Sequence, residues 1–151
     1  MRKVLTLILI NIILGLFQTS LFPVLFGKES YINWILVFCL SWILINAPIT
    51  ALKTAFVGGI VLDILNGARL GLSPFILTLG VYLMLLVRSY LFRGFIPNLI
   101  FGTLIGYIYA VILFHKPLFF DMRLFIFSLV TALLAFLVSK ILKQIILSRR
   151  F

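Results

Sequence analysis

Cysteine, histidine and acidic side chains are nearly missing from this chain. Its 151 residues include one cysteine, one histidine and three carboxylates, against thirteen lysines and arginines. A lone Cys39 excludes an intrachain disulfide. In the middle of an apolar run it reads as a small buried hydrophobe. A Ser/His/Asp hydrolase needs a histidine beside a nucleophile. The single His115 stands with Lys116 and Pro117 in a loop-like stretch and reads as a solvated residue. A metal site needs several ligands together, and Glu29, Asp63 and Asp121 lie far apart along the chain. No two of them are paired for acid/base work. Gly58-Gly59 is not followed by the Lys-Ser/Thr of a phosphate-binding loop. No catalytic residue, metal or cofactor is expected, and the chain does not read as an enzyme.

What is abundant is apolar. Hydrophobic residues make up 64% of the sequence, and the mean hydropathy is +1.32. A soluble domain of this size could not cover its own surface with such a composition. The class is therefore integral membrane, and only helices or closed barrels span lipid. Barrel strands alternate apolar and polar residues. Here the apolar runs are continuous and close to helix-spanning length, which predicts an all-α membrane protein. The net charge of +10 does not point to nucleic acid, because the basic residues are scattered between the apolar runs. That is the pattern of topology signals.

Six spans are predicted, at about 4–26, 31–46, 49–65, 72–87, 97–114 and 124–147 by the span-length rule, within one membrane domain covering 1–151. The first run is too long for a cleaved signal peptide and has no Ala-x-Ala site after it, so it reads as an uncleaved span. Asn11 and Gln18 share a face of that span and either bond another helix or are simply tolerated in the bundle. Tyr31 and Trp34 suit an interface at the start of the second span. Pro23, Pro48, Pro74, Pro97 and Pro117 all fall near predicted span ends, which supports six spans over five or seven. With the N-terminus inside, nine basic residues face the cytoplasm and four (Lys28, Arg69, Lys116, Arg123) face out, together with all three acids. The positive-inside rule then places both termini in the cytoplasm. The basic tail of Lys140, Lys143, Arg149 and Arg150 reads as a topology signal in contact with lipid headgroups, or as a dock for a cytoplasmic protein.

Two sets of residues stand out. The first is Gly59, Asp63, Asn66, Gly67, Arg69 and Gly71. An aspartate in a membrane helix costs roughly 2.5–3.5 kcal/mol on insertion scales, so it needs a partner or a place near water. Gly59, Asp63 and Asn66 fall on one helix face, and Asn66-Gly67 is a strong turn signal. The site is either an outward polar site for a partner or ligand, or a cap fixing the hairpin between the third and fourth spans, with Arg69 as salt-bridge partner. The second set is small-residue spacing suited to close helix packing. It comprises Ala55 before Gly59, then Gly102, Gly106 and Ala110 on the fifth span, then Thr131, Ala135 and Ser139 on the sixth.

The run Gly59-x-x-x-Asp63-x-x-x-Gly67-x-x-x-Gly71-Leu72, preceded by Pro48, resembles the rod shape-determining protein MreD family. Gln18-Thr19-Ser20-Leu21 at the end of the first span is also similar to it. One departure is Ile32-Asn33, where the family commonly has Pro-Asp. The resemblance covers nearly the whole chain. It implies a non-catalytic subunit of the bacterial wall-elongation machinery in the cytoplasmic (inner) membrane. The implied partners are MreC, a single-span protein, and through it the synthase RodA with its class B penicillin-binding protein, besides membrane lipids. It implies a fold similar to the six-helix substrate-binding subunits of energy-coupling-factor vitamin transporters, with Gly59, Asp63, Asn66, Gly67 and Gly71 shaping the outer half of the third and fourth spans. On this reading the small-residue faces of spans three, five and six receive partner spans, and Asp63→Ala weakens the complex. The alternative is a vitamin-binding transporter subunit, which would show a polar outer cavity with convergent donors and acceptors.

Overall fold

In a computed structural model of the chain, the residues described are 2–21, 23–24, 32–67, 69–90, 95–113 and 122–148. The loop residues Lys28, Glu29, Tyr31, Arg93, His115, Lys116, Pro117 and Asp121, and the tail residues Arg149 and Arg150, lie outside them. The described residues form six α-helices: α1 Arg2–Leu16, α2 Trp34–Leu44, α3 Pro48–Asn66, α4 Leu72–Tyr90, α5 Phe95–Leu113 and α6 Met122–Ser148. Local sequence explains the boundaries. Pro48 opens α3, where its missing N–H costs nothing. Gly67, at φ 62°, closes it in the left-handed conformation that glycine adopts freely. Pro74 and Pro97 each stand third in their helices, still within the first turn.

The first helix does not continue unchanged through the predicted span. From Phe17 to Leu21 it widens into a π-helical turn. Pro23, just beyond, has no N–H to offer the Thr19 carbonyl, and such turns occur where the ordinary ladder is interrupted. The second helix is shorter than its predicted span. At eleven residues it is about 16 Å long, well short of a ~30 Å hydrocarbon core. It is instead the pillar of the bundle. Ile35, Leu36, Val37, Cys39, Ser41 and Ile43 are all fully buried, and every other helix packs against it. Trp34, expected at an interface, stacks edge-on against Phe17 at 5.6 Å.

Contacts across the bundle fix the helix directions. Gly106 and Gly102 of α5 lie against Leu36 and Leu40 of α2, in opposite chain order. Pro74 of α4 lies on Gly59 of α3, and Ile105 of α5 lies on Gly80 of α4. The Ser41 hydroxyl of α2 shares its proton between the Ala135 carbonyl of α6 at 2.9 Å and the Val37 carbonyl of its own helix at 2.7 Å. Successive helices therefore alternate in direction. The starts of α2, α4 and α6 share one end of the bundle, and the starts of α1, α3 and α5 the other. Among the described residues, two helices, over Pro48–Asn66 and Met122–Ile145, meet the length and hydropathy needed to cross a membrane, and the other four carry shorter apolar stretches. The outer surface is apolar as well. Leu5, Ile13, Phe75, Ile100, Leu104, Leu137 and Ile141 are among the many large hydrophobics left exposed, as suits contact with lipid.

Candidate functional site

The one acid among the described residues is buried where α3 hands over to α4. Asp63 sits in the last turn of α3 and is 1% exposed. Its backbone carbonyl accepts the Gly67 N–H that closes the helix. Its carboxylate reaches over the turn to the start of α4. Oδ2 accepts the Gly71 N–H at 2.7 Å, and the Ser73 N–H is shared between Oδ1 at 3.1 Å and Oδ2 at 3.3 Å. The first N–H groups of a helix have no partner within it. The Ser73 N–H of α4, and the Gly71 N–H just before it, meet a carboxylate, where the partial positive charge of the helix N-terminus favours an anion. Such charge-assisted bonds are roughly twice as strong as neutral ones. The aspartate is thus the cap of the following helix, and this is what offsets its burial.

Close packing completes the joint. Gly59 lies one turn before Asp63, and a Cβ there would come within 2.3 Å of the Pro74 Cα and 2.4 Å of its nitrogen. Only a glycine lets the two helices approach so closely. Next to Pro74, the Ser73 hydroxyl meets the Tyr109 hydroxyl of α5 at 3.2 Å, both buried. The joint therefore ties α3, α4 and α5 together. Gly71, at φ 105°, holds a backbone conformation that other residues rarely adopt.

Of the residues singled out in the sequence, Gly59 and Asp63 are buried in this joint, while Asn66, Gly67, Arg69 and Gly71 are exposed around the turn. Asn66, at the end of the same helix, is exposed rather than turned into the protein. Arg69 does not pair with Asp63, since backbone N–H groups occupy the carboxylate and no ion pair joins the two side chains among the described residues. The Arg69 carbonyl, not its guanidinium, contributes to the turn, accepting the Leu72 N–H at 3.2 Å. Ser73, Pro74 and Tyr109 were missed. Ser-Pro at the head of an apolar run is a helix-start signal that marks the first two. Nothing in a single sequence links Tyr109 to them.

A second cap stands at the same end of the bundle. The Gln18 side chain accepts the Trp34 N–H at 3.0 Å, and Asn33 Oδ1 accepts the Leu36 N–H at 3.0 Å. Both serve the start of α2. Asn11, by contrast, donates to Leu7 within its own helix, and its buried Oδ1 lies against Gly58.

The small-residue faces are filled from within. A Cβ on Gly102 would meet Leu40 at 3.0 Å and Ala132 at 3.4 Å, and one on Gly106 would meet Ser128 at 3.2 Å. Ala55, Ala110, Thr131, Ala135 and Ser139 are buried in the same bundle. The expectation that these faces receive the spans of another protein is corrected on this point. This chain's own side chains already occupy them.

A family model described as rod shape-determining protein MreD matches residues 1–148. The chain belongs to the MreD family. No curated protein and no solved structure matches it. MreD proteins are bacterial membrane proteins of rod shape determination, and the family is not a known enzyme family. The Asp63 joint thus lies in an MreD chain, between its third and fourth helices. In the same chain, Asn33 caps α2 with its side-chain oxygen, a role asparagine and aspartate share.

Proposed function

We propose that this MreD-family chain is a non-catalytic scaffold of the wall-elongation complex. In this reading its six helices each cross the cytoplasmic membrane and both termini are cytoplasmic. It binds an MreC-like single-span protein, and through it RodA and a class B penicillin-binding protein. The match over residues 1–148 carries the reading. The alternating helix directions and the nine-to-four split of basic residues support the topology. The architecture similar to energy-coupling-factor substrate-binding subunits belongs to the same proposal.

The buried polar groups suit this role. Asp63, Ser73, Tyr109, Gln18 and Asn33 all make contacts that fix helix ends within the chain. The result is a bundle whose helix ends are tied within the chain and whose outer faces are apolar. Partner spans would dock on those faces, held by packing more than by hydrogen bonds. The test is depletion in a rod-shaped host, together with co-purification of the tagged chain from membranes. Rounded cells and a co-purified MreC-like protein are expected. Unchanged cell shape on depletion would overturn the wall role.

A further inference from the structure

The first helix is held to the bundle unevenly along its length. From Leu5 to Leu16, Asn11 and Gly15 alone are buried. Leu5, Leu9, Ile13 and Leu16 are among the large apolar side chains it leaves exposed. Its packing is closest near its end. A Cβ on Gly15 would come within 2.8 Å of Val61 and 2.9 Å of Leu65, both on α3. Just beyond, the π-helical turn Phe17–Leu21 is fastened to α2. The Gln18 side chain accepts the Trp34 N–H at 3.0 Å, and the Phe17 ring meets the Trp34 ring edge-on. Asn11, in the middle of α1, spends its donor on the Leu7 carbonyl of its own helix at 2.8 Å. Its Oδ1 is buried with no hydrogen bond at all.

We propose that α1 is a swinging arm, hinged at the π-helical turn, whose first half leaves α3 and returns. A π-helical turn interrupts the regular hydrogen-bond ladder, and helices bend at such places. Here the turn is pinned to α2 by Gln18 and Phe17, so it stays put while the helix before it moves. Asn11 does not hold the arm down. An asparagine bonded across to α2 or α3 would have to give up that bond on release. This one carries its only hydrogen bond with it, because donor and acceptor both belong to α1. The apolar side chains do not hold it either. Lipid tails are as apolar as leucine, so uncovering the inner face of the arm costs packing and no hydrophobic penalty. That packing is closest at Gly15, beside the hinge, and from Leu5 to Ile10 no residue is buried. The swing depends only on the contacts of α1, not on which proteins bind the chain.

Pulsed electron-spin distance measurements on the full chain in lipid nanodiscs test it, in a Cys39→Ala background. Spin labels on Leu5→Cys and Leu137→Cys report the free half of α1 against α6. Labels on Leu16→Cys and Ile126→Cys report its hinged end, and all four positions are exposed. Leu5 lies twelve residues before Phe17, so a bend of about 20° carries it by about 6 Å. The first pair is therefore expected to give a distribution wider than the second by about that amount. Gly58→Ala should displace the arm further, because its Cβ would meet Ile35 of α2 at 2.4 Å and the Asn11 Oδ1 at 2.8 Å. The first pair should then move toward its displaced distances while the second stays in place. Equal widths for the two pairs, whether narrow or broad, would overturn the proposal, as would an equal response of both pairs to Gly58→Ala. Should Gly58→Ala fail to fold, the two widths measured without it decide.

Discussion

Gly59 and Pro74 touch backbone to backbone. A methyl group at 59 would have to occupy the place of the Pro74 Cα, 2.3 Å away. The obstacle is main chain at a fixed helix start, so it cannot swing aside as a side chain would. Gly59→Ala is therefore expected to push α4 off α3 and to destabilise the bundle by about 1–3 kcal/mol, the range for overpacked cores. Gly102→Ala makes a fair comparison. There the nearest atom is the Leu40 Cδ1 at 3.0 Å, the end of a flexible side chain, and the loss should be smaller. Thermal unfolding in detergent checks the order. Equal midpoints for the two variants would mean that the helices can slide apart at no cost.

Asp63→Ala leaves the buried Ser73 N–H without its acceptor, while the Gly71 N–H, near the exposed turn, can find water. One buried donor left unpaired costs about 1–3 kcal/mol. Asp63→Asn keeps one carbonyl oxygen for that donor but loses the charge, so it should fall between Ala and the unaltered chain. Arg69→Ala should stay within about 0.5 kcal/mol, as exposed substitutions away from special features do. Limited proteolysis of the turn between α3 and α4 reports the effect directly, with faster cutting in the order Ala, Asn, unaltered. If Asp63→Ala also reduces recovery of an MreC-like protein, comparison with Gly59→Ala separates the causes. Equal loss in both variants points to the shape of the hairpin. A loss confined to Asp63→Ala points to the carboxylate itself.

The helices were more legible in the sequence than their contacts. Continuous apolar runs, together with prolines and the Asn66-Gly67 pair, locate six helices because span length and turn chemistry are local properties. The second helix was overextended, since a run of apolar residues looks the same whether it faces lipid or is ringed by protein. The π-helical turn at Phe17–Leu21 is marked only by Pro23 just beyond it, a proline that reads equally well as a plain span end. At the site, the burial cost of Asp63 signalled that a partner must exist. Residue letters suggest side chains as partners, so Arg69 stood out, whereas the actual donors are backbone N–H groups that no letter displays. The glycines of α5 announced close packing but not against which surface, because Leu36 and Leu40 lie more than sixty positions earlier.

Ser73 and Tyr109 are joined through their hydroxyls at 3.2 Å, which couples the capped start of α4 to α5. A double-mutant cycle with Ser73→Ala and Tyr109→Phe measures that link. Each substitution removes one hydroxyl and little volume. Hydrogen bonds between membrane helices average about 0.6 kcal/mol by such cycles, with a maximum near 1.7. A coupling energy in that range is expected, read from unfolding in detergent or mixed micelles. Strict additivity would mean that the two hydroxyls are neighbours without a bond.

Leu104 stands at the middle of α5 and is 50% exposed. In water, replacing an exposed leucine by lysine would be almost neutral. In a bilayer the same ammonium would lie near the midplane, where insertion scales charge it about 2.5–3.5 kcal/mol. Lysine could reach the interface only by extending its stem, and from the centre of a nineteen-residue helix that distance is about 14 Å, beyond its reach. Leu104→Lys is therefore expected to lower the membrane-inserted fraction of the chain sharply. Ile96→Lys, at 68% exposure and one residue into α5, should insert normally, because its ammonium can reach the headgroups. Glycosylation mapping of α5 in microsomes gives both numbers from one assay. Position-dependent loss of insertion would place α5 across the bilayer, whereas equal tolerance of the two lysines would place it at the surface and remove the basis for an even number of crossings.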